Sequence, residues 1–255
     1  STQAKTLFPY TTLFRSLVCI ADTDTRTGSS NNCGFALEIH VILCLLVYPS
    51  KAESNLLIPS IGLRQPEARS QMSDKPVLIV IDVQNGFNAP AMPPRNNPAC
   101  EDNVRQLLEV WRERNLPIVL VRHDSKNPNS VLAPGQSGSN FQPGIEGPHD
   151  LLVSKSVNSA FYGEPDLKTW LDASNYKKLV ICGIQTNYCC ETTARMAGNM
   201  GYEVEFVLDA MRTFDLTDSD GKVYPAELLH QVTAVNLDGE FAKVVSTQQV
   251  REGLA

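Results

Sequence analysis

The sequence predicts an α/β fold over residues 72–255, in which a mostly parallel six-stranded sheet forms the middle of three layers and helices cover both faces. Six short apolar runs recur along this stretch, and runs without polar alternation are typical of strands buried on both faces. Helical patterns lie between several of these runs. This strand–helix alternation favours parallel pairing, because parallel neighbours need a crossover connection.

The first strand candidate is Val77–Asp82, which reads VLIVID and follows Pro76. Similar runs come later in the chain, and the last of them is short. They are Pro117–Val121, Leu151–Val153, Leu179–Ile184, Val204–Leu208 and Val244–Val245. We expect these segments to form the sheet.

Two helix candidates carry apolar residues at helical spacing. In the first, they fall at i, i+3, i+4 and i+7: Val104, Leu107, Leu108 and Trp111. In the second, the stripe follows Pro225, a residue type favoured in the first turn of a helix: Leu228, Val232 and Val235. Such stripes are typical of helices that pack one face against a core.

Composition narrows the classes of partner. The 255 residues are 42% hydrophobic and 20% charged, with 22 Lys and Arg against 28 Asp and Glu, which gives a net charge of −6. This chain lacks the broad basic field that attracts nucleic acid or anionic membranes, so neither is expected as a partner. The cysteines of residues 72–255 show no paired metal-type spacing: Cys100, Cys182, Cys189 and Cys190. That pattern favours a reducing compartment, and we expect a cytoplasmic protein.

Residues 1–71 are expected to be a non-native or disordered extension. Thr6–Ser16 reads TLFPYTTLFRS, which resembles the in-frame translation of a short-read sequencing adapter, and the first methionine is Met72. The apolar run Val41–Tyr48 has an alternative interpretation as a signal or membrane segment, but it is too short to span a bilayer. We therefore expect the folded domain to cover residues 72–255.

Ligands of open parallel sheets bind outside the carboxyl ends of the strands, so polar residues that follow the apolar runs are the candidates for chemistry. Asp82 closes the first run, Lys155 follows the third, and Cys189 lies five residues past Ile184 at a predicted helix start. The sequence has none of the usual dinucleotide, phosphate-loop, serine-hydrolase or zinc-protease motifs.

Together these three residue types can make an activated nucleophile. A thiol at a helix N-terminus is favoured as thiolate, and the ammonium of Lys155 would add to that effect. The carboxylate of Asp82 could take the thiol proton and later return it to a leaving amine. Each residue alone also has a structural interpretation, as a loop cap, a surface charge and, for Cys189, a small core residue.

Three sequence motifs resemble the signatures of a known family. IDVQNGF (81–87), KSVNSAF (155–161) and GIQTNYCCETTARMAG (183–198) are similar to those of the isochorismatase-like cysteine hydrolases. This Rossmann-like α/β family includes nicotinamidases, N-carbamoylsarcosine amidases and ureidoacrylate or biuret amidohydrolases. The resemblance covers nearly all of residues 72–255.

The resemblance implies a role for each candidate. Asp82 would be the base, Lys155 the charge partner and Cys189 the nucleophile. The family also has a cis peptide where this chain has Ile184–Gln185, and its oxyanion hole would here use the backbone N–H groups of Gln185 and Cys189. The implied reaction is hydrolysis of a C–N bond in a small amide, carbamoyl or ureido compound, through a thioester and without a cofactor.

Some features of the chain depart from this family. Nicotinamidases hold a metal with an Asp-x-His element and further histidines, whereas this chain has RHDS at 122–125 and then no histidine before His149. We therefore expect no metal. Two alternatives stay open: isochorismate-type vinyl-ether hydrolysis, which would need Asp82 and Lys155 but not the thiol, and a catalytically idle oligomeric or interaction protein of the same fold.

The substrate pocket is the least defined part of the prediction. Aromatic residues and one histidine flank the motifs and are pocket candidates, although such residues also pack in cores: Phe87, His123, Phe161 and Tyr188. The segment 126–147 is rich in Pro, Gly, Ser and Asn, which predicts a loop over the site or toward a neighbouring subunit. Oligomerisation is common in the family, so a homo-oligomer is expected.

Overall fold

The computed structural model describes residues 74–254. The expectations for residues 1–71, and for a domain that starts at Met72, lie outside the described residues. Within the described part, no helix has the length and apolarity needed to cross a membrane.

All six predicted strands are present and pair in parallel, which confirms the predicted sheet. The strands are β1 (Val77–Ile81), β2 (Ile118–His123), β3 (Leu151–Lys155), β4 (Lys178–Ile184), β5 (Glu203–Arg212), β6 (Leu216–Thr217), β7 (Val223–Tyr224) and β8 (Lys243–Val245). The order across the sheet is β3-β2-β1-β4-β5-β8. A separate two-stranded antiparallel hairpin, β6 and β7, was not predicted.

Helices cover both faces of the sheet. The helices are α1 (Cys100–Glu113), α2 (Leu167–Ala173), α3 (Glu191–Asn199), α4 (Ala226–Leu237) and α5 (Thr247–Gly253). One apolar layer contains residues of α1 and α5, and the layer on the other face contains residues of α2, α3 and α4. The short α2 and α5 were not predicted, because seven-residue helices carry too few turns for a clear periodicity.

The first apolar stripe behaves as predicted. All four of its residues lie on α1 and are fully buried in the layer between α1 and the sheet: Val104, Leu107, Leu108 and Trp111. Trp111 also donates a hydrogen bond from Nε1 to the carbonyl of Pro76, 3.0 Å away, at the start of β1.

The second stripe lies on a real helix but on its solvent face, so a core-facing role for these residues is wrong. Leu228, Val232 and Val235 are 48%, 47% and 79% exposed on α4. The buried face instead carries His230 and Thr233. Both of these polar side chains have hydrogen-bond partners, one in the turn after β4 and one in the first residue of α3, which offset the free-energy cost of burying them. The spacing of apolar residues could not predict the buried face of α4, because the polar residues on that face are buried through hydrogen bonds to other segments.

Segment 126–147 is irregular, as predicted, apart from a 3₁₀ turn at Ser137–Ser139. It packs on the turn that follows β1 in the same chain. The N–H of Asn85 donates to the carbonyl of Asn140 at 2.8 Å, and a Cβ on Gly138 would lie only 3.0 Å from the Cα of Gly86. The loop therefore covers its own chain's β1 end.

Candidate active site

Asp82, Lys155 and Cys189 come together at the carboxyl edge of the sheet. Asp82 follows β1, Lys155 ends β3, and Cys189 lies in a π-helical turn, Thr186–Cys190, between β4 and α3. The Nζ atom of Lys155 lies 2.6 Å from Oδ2 of Asp82 and 3.4 Å from Sγ of Cys189. All three side chains are buried, so their interactions are little screened by solvent.

The backbone at Asp82 turns its side chain toward Lys155. Asp82 has a positive φ of 53°, an uncommon conformation for a residue with a Cβ. Its N–H still continues the sheet by donating to the carbonyl of Val121 at 2.9 Å. Oδ2 accepts from Lys155, while Oδ1 is buried and has no hydrogen-bond partner among the described residues. A carboxylate oxygen is thus available to accept a proton inside the site.

The turn that holds Cys189 is built around one carbonyl. A cis peptide joins Ile184 to Gln185 at the end of β4. The N–H groups of Tyr188 and Cys190 both donate to the carbonyl of Gln185 at 3.2 Å. Cys189 lies between these two donors in the chain, at the entrance to α3, as the sequence predicted for a helix start.

Two side chains of helix α4 form polar contacts with this turn and with the start of α3. Oγ1 of Thr186 lies 2.8 Å from Nδ1 of the buried His230. Next to it, Oγ1 of Thr233 donates to Oε2 of Glu191, the first residue of α3, at 2.8 Å. Two polar contacts therefore hold both ends of the turn against α4.

Burial dominates the electrostatics of the thiol. Desolvation raises the pKa of Cys189 to about 12; the Asp82 charge adds to the rise, and Lys155 opposes it. Burial therefore favours the neutral thiol, whereas the ammonium of Lys155 favours the thiolate that the sequence predicts. Cys189 then needs a base at the moment of attack.

Asp82 and Lys155 each shift the pKa of the other. Burial raises the pKa of Asp82, and the charge and hydrogen bond of Lys155 oppose this rise. The pKa of Lys155 is raised by the adjacent Asp82, although burial acts in the other direction. We take the pair as carboxylate and ammonium at neutral pH, because each partner supplies the countercharge that the other lacks.

His123 is the predicted pocket residue with a direct contact to this group. It ends β2, pairs in register with Lys155 of β3, and places Nδ1 3.3 Å from the lysine Nζ. Tyr188 is 39% exposed beside Cys189. Phe87 and Phe161 are buried and stack on Phe214 and Tyr202 respectively, which are contacts typical of core residues.

Sequence reasoning missed Gln84, the middle residue of IDVQNGF. Its fully buried amide accepts from the N–H of His123 at 2.9 Å and donates to the carbonyl of His123 at 3.0 Å. It also donates to the carbonyl of Ser139 in the covering loop at 2.9 Å. The only signal in the sequence was a polar residue shortly after an apolar strand. The hydrogen-bond partners of Gln84 lie 39 and 55 positions away, so the sequence pattern did not indicate them.

Asn158 was missed as well. The thiol of Cys189 points toward Oδ1 of Asn158, at an Sγ–Oδ1 distance of 3.8 Å. Asn158 is the fourth residue of KSVNSAF and lies in an exposed turn, so its sequence position looks like that of an ordinary loop residue.

One cluster of potential metal ligands includes site residues. One ligand atom each from Asp82, His123 and Cys189 lie within 4.8 Å of one another. The Nζ atom of Lys155 lies within 3.4 Å of an atom of each of these three residues, so a positive charge is already close to the potential metal ligands. The residues therefore do not fit a metal ion, which the ammonium would repel at short range.

Comparisons with known proteins agree with this architecture. Residues 76–249 match the isochorismatase domain. The isochorismatase family protein YrdC of Bacillus subtilis is 33% identical, over 70% of this chain and 96% of its own length. Nicotinamidase 3 of Arabidopsis thaliana is 32% identical, over 69% of this chain and 87% of its own.

A solved structure supports the same assignment. A hydrolase of the isochorismatase family from Chromobacterium violaceum is 40% identical, covers 71% of this chain and 94% of its own, and superposes with a TM-score of 0.68. The domain match spans well over half of the chain, and both motifs and fold agree with it. We conclude that this chain belongs to the isochorismatase family and is a hydrolase.

Proposed function

We propose that this protein is a cysteine-dependent amidohydrolase that cleaves a C–N bond of a small amide, carbamoyl or ureido compound through a thioester. The observation that carries the proposal is the buried group of Cys189, Lys155 and Asp82, in which one carboxylate oxygen has no partner. This group provides a nucleophile, a fixed cation and a proton acceptor.

In the first step, Sγ of Cys189 attacks the substrate carbonyl carbon while Oδ1 of Asp82 takes the thiol proton. Proton removal accompanies the attack in this proposal, because burial raises the pKa of the thiol and so favours its protonated form. The carbonyl electron pair moves onto oxygen, where the N–H groups of Gln185 and Cys189 are proposed to stabilise it. Lys155 stays charged and stabilises the negative charge that passes between sulfur and carboxylate.

In the second step, the C–N bond breaks and Asp82 returns its proton to the leaving nitrogen. Ammonia or an amine departs and a thioester remains on Cys189. Water then attacks the thioester carbon as Asp82 takes a proton from it, the C–S bond breaks, and the departing sulfur regains the proton. The acid product leaves, and all groups return to their initial state.

The expectations of a homo-oligomeric and cytoplasmic enzyme remain predictions within this proposal. Isochorismate-type ether hydrolysis is less favoured, because it does not use a thiol that the structure brings to 3.4 Å from the ammonium. A nicotinamidase among the relatives also supports C–N hydrolysis.

The decisive experiment is an ammonia-release screen over small amides, carbamoyl compounds and ureas, followed by hydroxylamine trapping of the acyl-enzyme. We expect turnover by the wild type and none by Cys189→Ala. Cys190→Ala is the matched control, since Cys190 is fully buried in the adjacent core and should retain activity if the protein folds. Full activity of Cys189→Ala, or hydroxamate formation by this variant, would overturn the proposal.

A further inference from the structure

His123 is held more rigidly than an ordinary residue at a strand end. Gln84 hydrogen-bonds both its N–H and its carbonyl, at 2.9 and 3.0 Å. On the other side, Nδ1 contacts the buried ammonium of Lys155 at 3.3 Å. Backbone and ring are thus fixed by separate interactions, which is the condition for a side chain that orients a ligand.

The contact with Lys155 determines which ring nitrogen of His123 carries the proton. An ammonium can only donate hydrogen bonds, so Nδ1 must accept and the proton of the neutral ring must be on Nε2. The ring is neutral because burial and the Lys155 charge both lower the pKa of His123. Nε2–H is therefore a donor that points away from Lys155.

The position of His123 connects this donor to one part of the substrate. Lys155 and Asp82 form the side of the site where, under the proposed function, the leaving nitrogen receives its proton. His123 adjoins that pair, and one of its ring nitrogens lies within 4.8 Å of both the Asp82 carboxylate and Cys189 Sγ. His123 as a whole is half-buried, so part of the residue is accessible to a ligand.

We propose that His123 is a specificity-determining residue, whose Nε2–H selects substrates that carry a hydrogen-bond acceptor on the substituent of the leaving nitrogen. This inference rests on the proposed function for the identity of the leaving-group side. The chemical class is an N-substituted amide or urea with a carbonyl oxygen or equivalent acceptor three bonds from that nitrogen. An unsubstituted amide would leave the donor unpaired.

Two substitutions distinguish a role of His123 as a hydrogen-bond donor to the substrate from a role as an acceptor for Lys155. In His123→Asn, the side-chain oxygen can replace Nδ1 as acceptor for Lys155, but the distal donor is lost. In His123→Gln, the side-chain amide reaches the position of Nε2, so the donor is kept while the Nδ1 acceptor is lost. His123→Asn therefore removes only the donor, and His123→Gln removes only the acceptor.

The probes are N-(2-oxopropyl)urea and N-isobutylurea, which have nearly the same shape but differ by one acceptor. Binding is measured as protection of Cys189 against iodoacetamide, and turnover as kcat/KM. We expect the wild type to prefer the oxopropyl compound about tenfold, the value of one hydrogen bond. His123→Asn should lose this preference and His123→Gln should keep most of it.

Equal preference in the wild type and His123→Asn would overturn the proposal, as would loss of preference in His123→Gln alone. The protection assay does not depend on turnover, so it tests His123 even if neither urea is hydrolysed. Failure of the proposed function would look different: no amide or urea would be turned over, whatever the protection constants.

Discussion

Nζ of Lys155 lies 2.6 Å from Oδ2 of Asp82, and neither side chain is exposed to solvent. A buried pair of this kind is costly to break from one side, because the remaining charge has no partner. Here the ammonium also contacts His123 and Cys189, so its three N–H donors have three acceptors. Removal of Lys155 is therefore expected to change the chemistry of the thiol as well as the fold's stability.

Lys155→Met should shift the alkylation profile of Cys189 toward higher pH. The lysine charge lowers the pKa of this thiol, so its loss should raise the pKa further, with about a tenfold lower alkylation rate at fixed pH for each unit. The measurement is the rate of iodoacetamide modification between pH 7 and 10 on protein shown to be folded by circular dichroism. Lys168→Met, which removes an exposed lysine paired with Asp172, is the control. A profile that matches the wild type would assign Lys155 to the substrate instead.

Chelators should leave activity unchanged, because the ammonium of Lys155 stands among the donors that a metal would need. The test is dialysis against a strong chelator, followed by assay and metal analysis of the dialysed protein. A stoichiometric metal whose removal abolishes turnover would contradict this expectation.

Gly183→Ala should destabilise the protein strongly and disturb the approach to Gln185. Gly183 has a φ of +131°, and an added Cβ would lie 2.0 Å from the carbonyl oxygen of Ile81 in the neighbouring strand. Gly221 is a matched control, with a φ of +83° and open space around a Cβ. We expect Gly221→Ala to cost about 1–2 kcal/mol from backbone conformation alone, and Gly183→Ala to cost clearly more in urea unfolding. Equal costs would mean that the strands separate easily at this point.

Acid should destabilise the fold in part through His230. Burial lowers its pKa in the folded protein, so below about pH 6.5 the unfolded chain binds a proton that the folded chain excludes. The free energy of unfolding then falls as the pH drops through this window, by at most about 1.4 kcal/mol per pH unit for this one group.

The comparison variant is His230→Asn, whose unfolding free energy should depend less on pH between 7 and 5. Parallel curves for the wild type and His230→Asn would show that His230 is protonated in the folded state.

The sequence predicted the sheet well because strands buried on both faces leave uninterrupted apolar runs, as Val77–Ile81 does. It also predicted α1, whose stripe faces the core. It predicted the wrong face for α4, because burial there depends on hydrogen bonds from His230 and Thr233 to residues more than 40 positions away. Spacing within one segment carries no information about such partners.

The same reason limits what the sequence could say about the site. The topology rule placed Asp82, Lys155 and Cys189 at one edge of the sheet, and the structure brings them into contact. The two-sided hydrogen bonding of Gln84 to His123 could not be read from one chain, since glutamine follows many strands without a buried role. The rise in the pKa of Cys189 also depends on burial, which only the folded structure shows.

Four strands that are neighbours in the sheet, β3, β2, β1 and β4, each bring one residue to the site: Lys155, His123, Asp82 and Cys189. A shift of any of these strands by one residue would turn its side chains to the opposite face. Partly folded molecules with a misaligned strand thus cannot hold all four groups together. Burial raises the pKa of Cys189 in the completed site, so alkylation of this thiol should slow as the four strands come into register. A refolding experiment can therefore follow the completion of the central sheet through the chemistry of a single sulfur atom.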